Sequence, residues 1–262
     1  MTVPRVLLLI PPLTQLNTPY PSTAYLTGFL HSRGIACEQA DLGIEMVLRL
    51  FSRDGLRQVF SLVRKQQDLV PQPGLDMLEN EQAYLSTIDF VVTFLQGKNP
   101  QAATQLIRPR FLPQGPRFNG KKRFPKSVPI EDRAKHWATL YLEDLADLVQ
   151  ATVSPVFALS RYAEHLAHAA SSFDHMAEAL DEPPSLTDAF LLEALWPHLD
   201  RVDPTVVGLS VPFPGNLYGA FRIAQAIKAR RPELPIALGG GYANTELRRI
   251  SDPRVFDYVD FI

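Results

Sequence analysis

Cysteine is nearly missing from this chain. Cys37 is the single one in 262 residues, which excludes an internal disulfide and fits a reducing compartment. An excess of charge of either sign is missing too. Lys and Arg total 26 against 28 Asp and Glu, a formal net charge of -2, so no electrostatic push toward nucleic acid or anionic lipid exists. Long apolar runs are also lacking. The run ahead of Pro11 extends only from Val6 to Ile10 behind a single Arg5, too short for the core of a signal peptide or a membrane span. The expected location is the cytoplasm, with no membrane partner.

The common phosphate-binding signatures are absent as well. A dinucleotide fold carries Gly-x-Gly-x-x-Gly directly after its first strand, where this chain has Pro11-Pro12-Leu13-Thr14-Gln15-Leu16. Gly239-Gly240-Gly241 resembles half of that motif, but position 244 is Asn. There is no Walker Gly-Lys-Ser/Thr, and no acidic pair ends the first apolar run as a receiver domain requires.

What is present is a strand-helix-strand unit. The run Thr205 to Val211 is short, apolar, rich in β-branched residues and stopped by Pro212 and Pro214, the pattern of a strand buried on both faces. Asn216 is placed to cap a helix whose apolar positions Leu217, Ala220, Ile223, Ala224 and Ile227 follow a 3.6-residue period, with Pro232 beyond its end. A second buried run, Pro235 to Leu238, ends in three glycines. Parallel strands joined in this way put their loops on one edge of the sheet. Ser210, Pro212, Phe213 and Gly215 after one strand, with Gly239, Gly240, Gly241 and Tyr242 after the next, are therefore the candidate ligand-binding loops. Missing β-carbons let a flat ligand lie on the backbone.

The rest of the chain extends this pattern. Arg5 to Ile10 is a first strand, apolar throughout, and a helix follows with the stripe Tyr25, Leu26, Phe29 and Leu30, capped by Ser22 or Thr23 and stopped at Gly34. Ala36 to Leu42 is a second strand, and Val255 to Ile262 reads as a fifth. A sheet of this kind normally continues into a covering helix, so the expectation is that the polypeptide runs on. Residues 44–200 show helical periodicity and no buried strand, with helices expected at Glu131 to Gln150, Pro155 to about Leu180 and Leu186 to Leu199. The organisation expected is thus an α/β domain made of 1–43 and 201–262, a parallel five-stranded sheet, with a helical insertion at 44–200.

Two stretches of the insertion carry chemistry-bearing residues. Arg108 to Lys126 holds Arg108, Arg110, Arg117, Lys121, Lys122, Arg123 and Lys126 with Phe111, Phe118 and Phe124 and no acidic residue. Such a mixture can bind stacked bases, but near-neutral overall charge favours a solvated loop pinned by its phenylalanines. Glu164, His165, His168 and His175 have a spacing that could hold zinc, but the reading preferred for them is the wet face of an amphipathic helix.

The order β-α-β, then strand, helix and strand ending in Gly-Gly, with Pro11-Pro12 after strand one and Val207-Gly208-Leu209-Ser210 in strand three, resembles the amino-terminal cobalamin-binding domain of cobalamin-dependent radical SAM enzymes. The resemblance covers 1–43 and 201–262 and implies a five-stranded Rossmann-like, flavodoxin-like sheet with the corrin across its carboxyl edge. It implies that Pro12, Leu13 and Thr14 face the lower side of the corrin. Ser210, Val211, Pro212 and Phe213 would line the neighbouring wall, and Gly239, Gly240 and Gly241 would make room for the nucleotide tail. No Asp-x-His-x-x-Gly follows strand one, so no histidine of this loop would ligate cobalt. A 4Fe-4S cluster needs three cysteines; with Cys37 alone, the cluster and S-adenosylmethionine would belong to a C-terminal radical SAM domain of the same polypeptide. Such a parent enzyme would perform methyl transfer or other radical chemistry, and this part of it would bind without turning over. The alternative is a degenerate Rossmann-like scaffold or substrate-docking module without cofactor.

Overall fold

The uninterrupted apolar run at the start of the chain forms the strand that centres the sheet. In the computed structural model, which describes residues 4–14, 16, 20–120, 127–159, 173–247 and 252–262, β1 (Arg5–Ile10) pairs in parallel with β2 (Ala36–Asp41) on one side and β3 (Val206–Ser210) on the other. The strand β4 (Ile236–Gly239) pairs with β3, giving the order β2-β1-β3-β4, all parallel. Leu7 to Ile10 are all buried, as a strand covered on both faces must be. The chain divides into two compact units: Met1–Met46 with Ala158–Ile262, and Val47–Phe157.

The sheet-bearing unit contains α1 (Ser22–Ser32), the start of α2 (Leu42–Leu50), α8 (Asp174–Asp181), α9 (Leu186–Val202), α10 (Leu217–Arg230) and the short α11 (Gly241–Thr245). The period-3.6 stripe of α10 is buried as expected, and α9 begins with a capping box in which Ser185 and Asp188 satisfy each other's backbone N–H groups.

Three expectations are corrected here. Among the described residues the sheet has four strands, not five. Residues Pro253–Asp257 form a 3-10 turn in which Asp252 accepts from the Arg254 N–H, and Phe261 alone makes a parallel bridge, to Ala237. The buried residues of this segment are Val255 and Val259, four apart, a helical and not an alternating spacing. Secondly, the stripe on α1 faces outward: Tyr25 and Phe29 are exposed, and Thr23 is the buried residue of the helix. Side-chain bonds fix the opposite face, with Thr27 Oγ1 beside Cys37 Sγ at 3.6 Å and His31 Nε2 on the Cys37 carbonyl at 2.8 Å. Thirdly, residues 153–159 are not helical, and the helix expected to reach Leu180 appears as α8 alone among the described residues.

The other unit is helical: α3 (Arg53–Lys65), α4 (Gln72–Glu79), α5 (Glu81–Leu95), α6 (Ala103–Leu106) and α7 (Ile130–Thr152). The buried positions Ala134, Ala138, Tyr141, Leu145 and Val149 of α7 recur every three or four residues. Tyr141 stacks on Tyr84 of α5 with ring centroids 5.5 Å apart and donates its hydroxyl to the Tyr84 carbonyl at 3.1 Å. Among the described residues no helix is long and apolar enough to cross a membrane.

Candidate functional site

Loops that follow adjacent parallel strands share an edge, and the crevice between them opens where successive crossovers leave in opposite directions. Here that place is between β1 and β3, because β2 lies to one side of β1 and β3 to the other. The proline corner after β1, the Pro-Phe-Pro-Gly corner after β3 and the glycine corner after β4 meet there. Val211 donates its N–H to the Gly239 carbonyl at 2.7 Å, and the Tyr242 N–H reaches back to the Val211 carbonyl at 3.1 Å.

The base of this edge is filled by the chain's own residues. Pro11, Pro12, Leu13, Ser210, Val211 and Pro212 are buried. A β-carbon on Gly219 of α10 would lie 2.8 Å from Pro12 Cδ, so the glycine at 219 is what allows the proline corner to seat against that helix. The Asn216 side chain makes no cap bond to α10; its Nδ2 donates to the Pro11 carbonyl at 2.6 Å and joins the two corners, while its Oδ1 is buried with no partner among the described residues. Ser22 and Ser210 share a hydrogen bond at 2.6 Å. Neither the role of Asn216 nor that of Ser22 was legible in sequence, because each depends on a residue about 190 to 205 positions away.

What remains exposed is narrower than the full set of candidates. Thr14 and Tyr242 are half-buried, and burial raises the Tyr242 pKa. Phe213 is 54% exposed, with Tyr20 packed edge-on against it at 5.9 Å. A β-carbon on Gly239 would meet nothing within 4 Å, and Gly241 is exposed. Gly240 is different, since its φ of 109° and its contact with the Val211 backbone are demanded by the corner itself. Tyr20, an aromatic in a proline-rich loop, is the residue of this rim that sequence reasoning passed over.

The basic loop of the helical unit is held by acidic and aromatic neighbours where it is described. Arg117 makes a bidentate pair with Asp147, through Nε at 2.7 Å and Nη2 at 2.8 Å, and Phe118 stacks on Trp137 at 5.2 Å. Asp144, buried in α7, accepts from the N–H groups of Gly115 and Arg117 at 2.9 and 2.8 Å. Lys121, Lys122, Arg123, Phe124 and Lys126 lie outside the described residues, as do Glu164, His165 and His168. His175 is exposed beside Glu178, and no group of three metal-ligating side chains occurs among the described residues.

Two carboxyls of the described residues are pushed up. Burial pushes the Asp144 carboxyl up against the opposing pull of its two backbone N–H bonds, and burial likewise raises Asp41 at the end of β2. Carbon-13 titration of the aspartate carboxyls should find both titrating above the exposed aspartates. With a folded pKa above the unfolded one, each group's contribution to stability is present below the unfolded pKa and lost as pH rises through the folded one. Titration at or below the free value would mean that the N–H bonds outweigh desolvation.

Comparison with protein-family models, with curated proteins and with solved structures found no match to this chain.

Proposed function

We propose that the sheet-bearing unit is a cobalamin-binding module of the kind found in cobalamin-dependent radical SAM enzymes, with a Rossmann-like, flavodoxin-like sheet. The observation that carries the reading is the meeting of a proline corner, an exposed aromatic and a side-chain-free corner at the carboxyl edge between β1 and β3. The order β2-β1-β3-β4 matches the first four strands of the flavodoxin-like arrangement. The residues fit a broad, flat ligand: Thr14, Tyr20 and Phe213 offer a partly apolar rim, and the open space at Gly239 with the exposed backbone at Gly241 leaves room for a tail. Pro12, Leu13, Val211 and Pro212 support that rim from beneath. When bound, cobalamin supplies a carrier for a methyl group or a partner for radical chemistry. The protein's part is to hold the ring against an apolar edge and shield one face from water.

In this reading the iron-sulfur cluster and S-adenosylmethionine sit in a separate radical SAM domain of the same polypeptide. Cys37 cannot contribute, because it is buried and burial raises its thiol pKa, the reverse of an activated thiolate. A second reading, a scaffold without cofactor, is favoured by one observation: the base of the edge is already occupied by Pro12, Leu13 and Val211.

Protein mixed with hydroxocobalamin and desalted should retain the corrin absorbance bands, with a micromolar dissociation constant. Gly239→Phe places a ring where a β-carbon meets open space; it should leave the urea midpoint unchanged and weaken corrin retention by about tenfold or more. Colourless wild-type protein would hand the edge to the scaffold reading. Equal retention by Gly239→Phe would move the ring away from this corner.

A further inference from the structure

The helical unit contains a cleft that the sheet-edge site does not use. It has a volume of about 410 Å³, within the range of small-molecule sites, and is formed by α4, the start of α5 and residues 113–119. A smaller cleft of about 220 Å³ adjoins it, sharing Pro73, Met77 and Pro116. Four prolines, Pro71, Pro73, Pro113 and Pro116, line the two. Proline has no N–H to offer; the Pro71 and Pro116 carbonyls are already taken by backbone N–H groups, and Asn80, Gln114 and Asn119 add side-chain amides to the lining. Among the described residues the charged members of the lining are Asp76, Asp144 and Asp147, with no Lys, Arg or His. Asp147 is taken by Arg117, and Asp144 already accepts two backbone N–H bonds. Asp76 at the rim gives one oxygen to Gln72 Nε2, and its other has no partner among the described residues.

An independent observation points into the same place. Tyr84 lines the larger cleft, is 1% exposed, and has both backbone groups used: its N–H donates to the Asn80 carbonyl and its carbonyl accepts from Tyr141. Its hydroxyl alone has no hydrogen-bond partner among the described residues, whereas the Tyr141 hydroxyl beside it has two. That hydroxyl is not sealed away either, since it is not among the fully buried side-chain atoms left without a partner. A polar atom at the end of a buried ring, open only slightly, calls for a ligand or a water. The Gly115 wall also cannot be thickened, because a β-carbon there would stand 2.6 Å from the Asp144 carboxyl carbon.

We propose that this cleft binds a small organic ammonium ion: a protonated amine with a compact apolar body. The apolar part rests on Met77 and the proline wall, the Tyr84 hydroxyl accepts one of its N–H groups, and the free Asp76 oxygen supplies countercharge. Anions are disfavoured by the carboxylates of the described lining. The inference stands on the helical unit alone and does not depend on cobalamin binding.

The test uses the full chain labelled with carbon-13 at its methionine methyls, titrated with benzylamine, benzyl alcohol or benzoate at pH 7. Benzylamine should shift the Met77 methyl with a dissociation constant on the order of 1 mM or tighter, and at least tenfold more tightly than either isostere. Tyr84→Phe should weaken it about threefold to tenfold, and Asp76→Asn, an exposed change that does not challenge folding, about threefold. Benzoate or benzyl alcohol binding as well as the amine would overturn the proposal. So would an unmoved Met77 methyl at 10-fold molar excess over about 1 mM, or equal affinity in both variants; if Tyr84→Phe does not fold, the Asp76→Asn result decides.

Discussion

Arg222→Met should lower the stability of the sheet-bearing unit by about 3–5 kcal/mol, the cost of removing one partner from a buried charge pair. Arg222 on α10 and Asp188 on α9 have side chains 3% and 2% exposed, with Nε and Oδ2 3.8 Å apart. Both donate or accept elsewhere as well: the guanidinium caps the end of α8 through the carbonyls of Leu180 and Ala179 at 2.9 and 2.8 Å, and Asp188 Oδ2 accepts from the Tyr218 hydroxyl at 3.1 Å. Burial and the Asp188 carboxylate push the Tyr218 pKa up to about 12. Methionine keeps the apolar stem but abandons two helix-end carbonyls and leaves the carboxylate uncompensated. Urea unfolding followed by the emission of Trp196, in a Trp137→Phe background, reads the loss from α9. A change below about 1 kcal/mol would place the pair with weak, solvent-screened ion pairs.

Gly240→Ala should cost about 2–5 kcal/mol, combining backbone strain with overpacking. At φ 109° and ψ 178° the residue occupies a region essentially confined to glycine, and an added β-carbon would lie 2.5 Å from the Val211 carbonyl oxygen. Relief requires pulling the β4 corner away from β3, which breaks the 2.7 Å bond from Val211 to Gly239 and the 3.1 Å bond from Tyr242. Gly239→Ala, with nothing to meet within 4 Å, is the control and should be close to neutral. The loss should be the same with or without hydroxocobalamin, because the strain belongs to the fold. A stable Gly240→Ala protein would mean that the corner relaxes at little cost and that its geometry is not fixed by this residue.

The contrast among these three glycines bears on how much could be read in advance. The run Gly239-Gly240-Gly241 marks a place where backbone comes close to something, but only the neighbouring strand reveals that at 240 the something is Val211 and at 239 it is open space. The outward turn of α1 has the same origin. Tyr25, Leu26 and Phe29 are spaced for burial, yet Thr27 and His31 bind β2 and so decide which face goes in. Asn216 offered a cap by type and position, and instead bridges to Pro11 across the sheet edge.

Local pattern alone determined β1 to β4, the helix between β3 and β4, the parallel sense of the sheet and the convergence of the proline and glycine corners. Uninterrupted apolar runs, 3.6-residue stripes and right-handed crossovers each carry that information within a few tens of residues. Tertiary structure decided the rest: the four-strand count, the face that α1 presents, the filling of the edge from below by Pro12 and Val211, and the buried Arg222–Asp188 pair. Those features depend on groups brought together from distant parts of the chain, and side-chain hydrogen bonds and excluded volume act on distance in space, which no spacing along the sequence records.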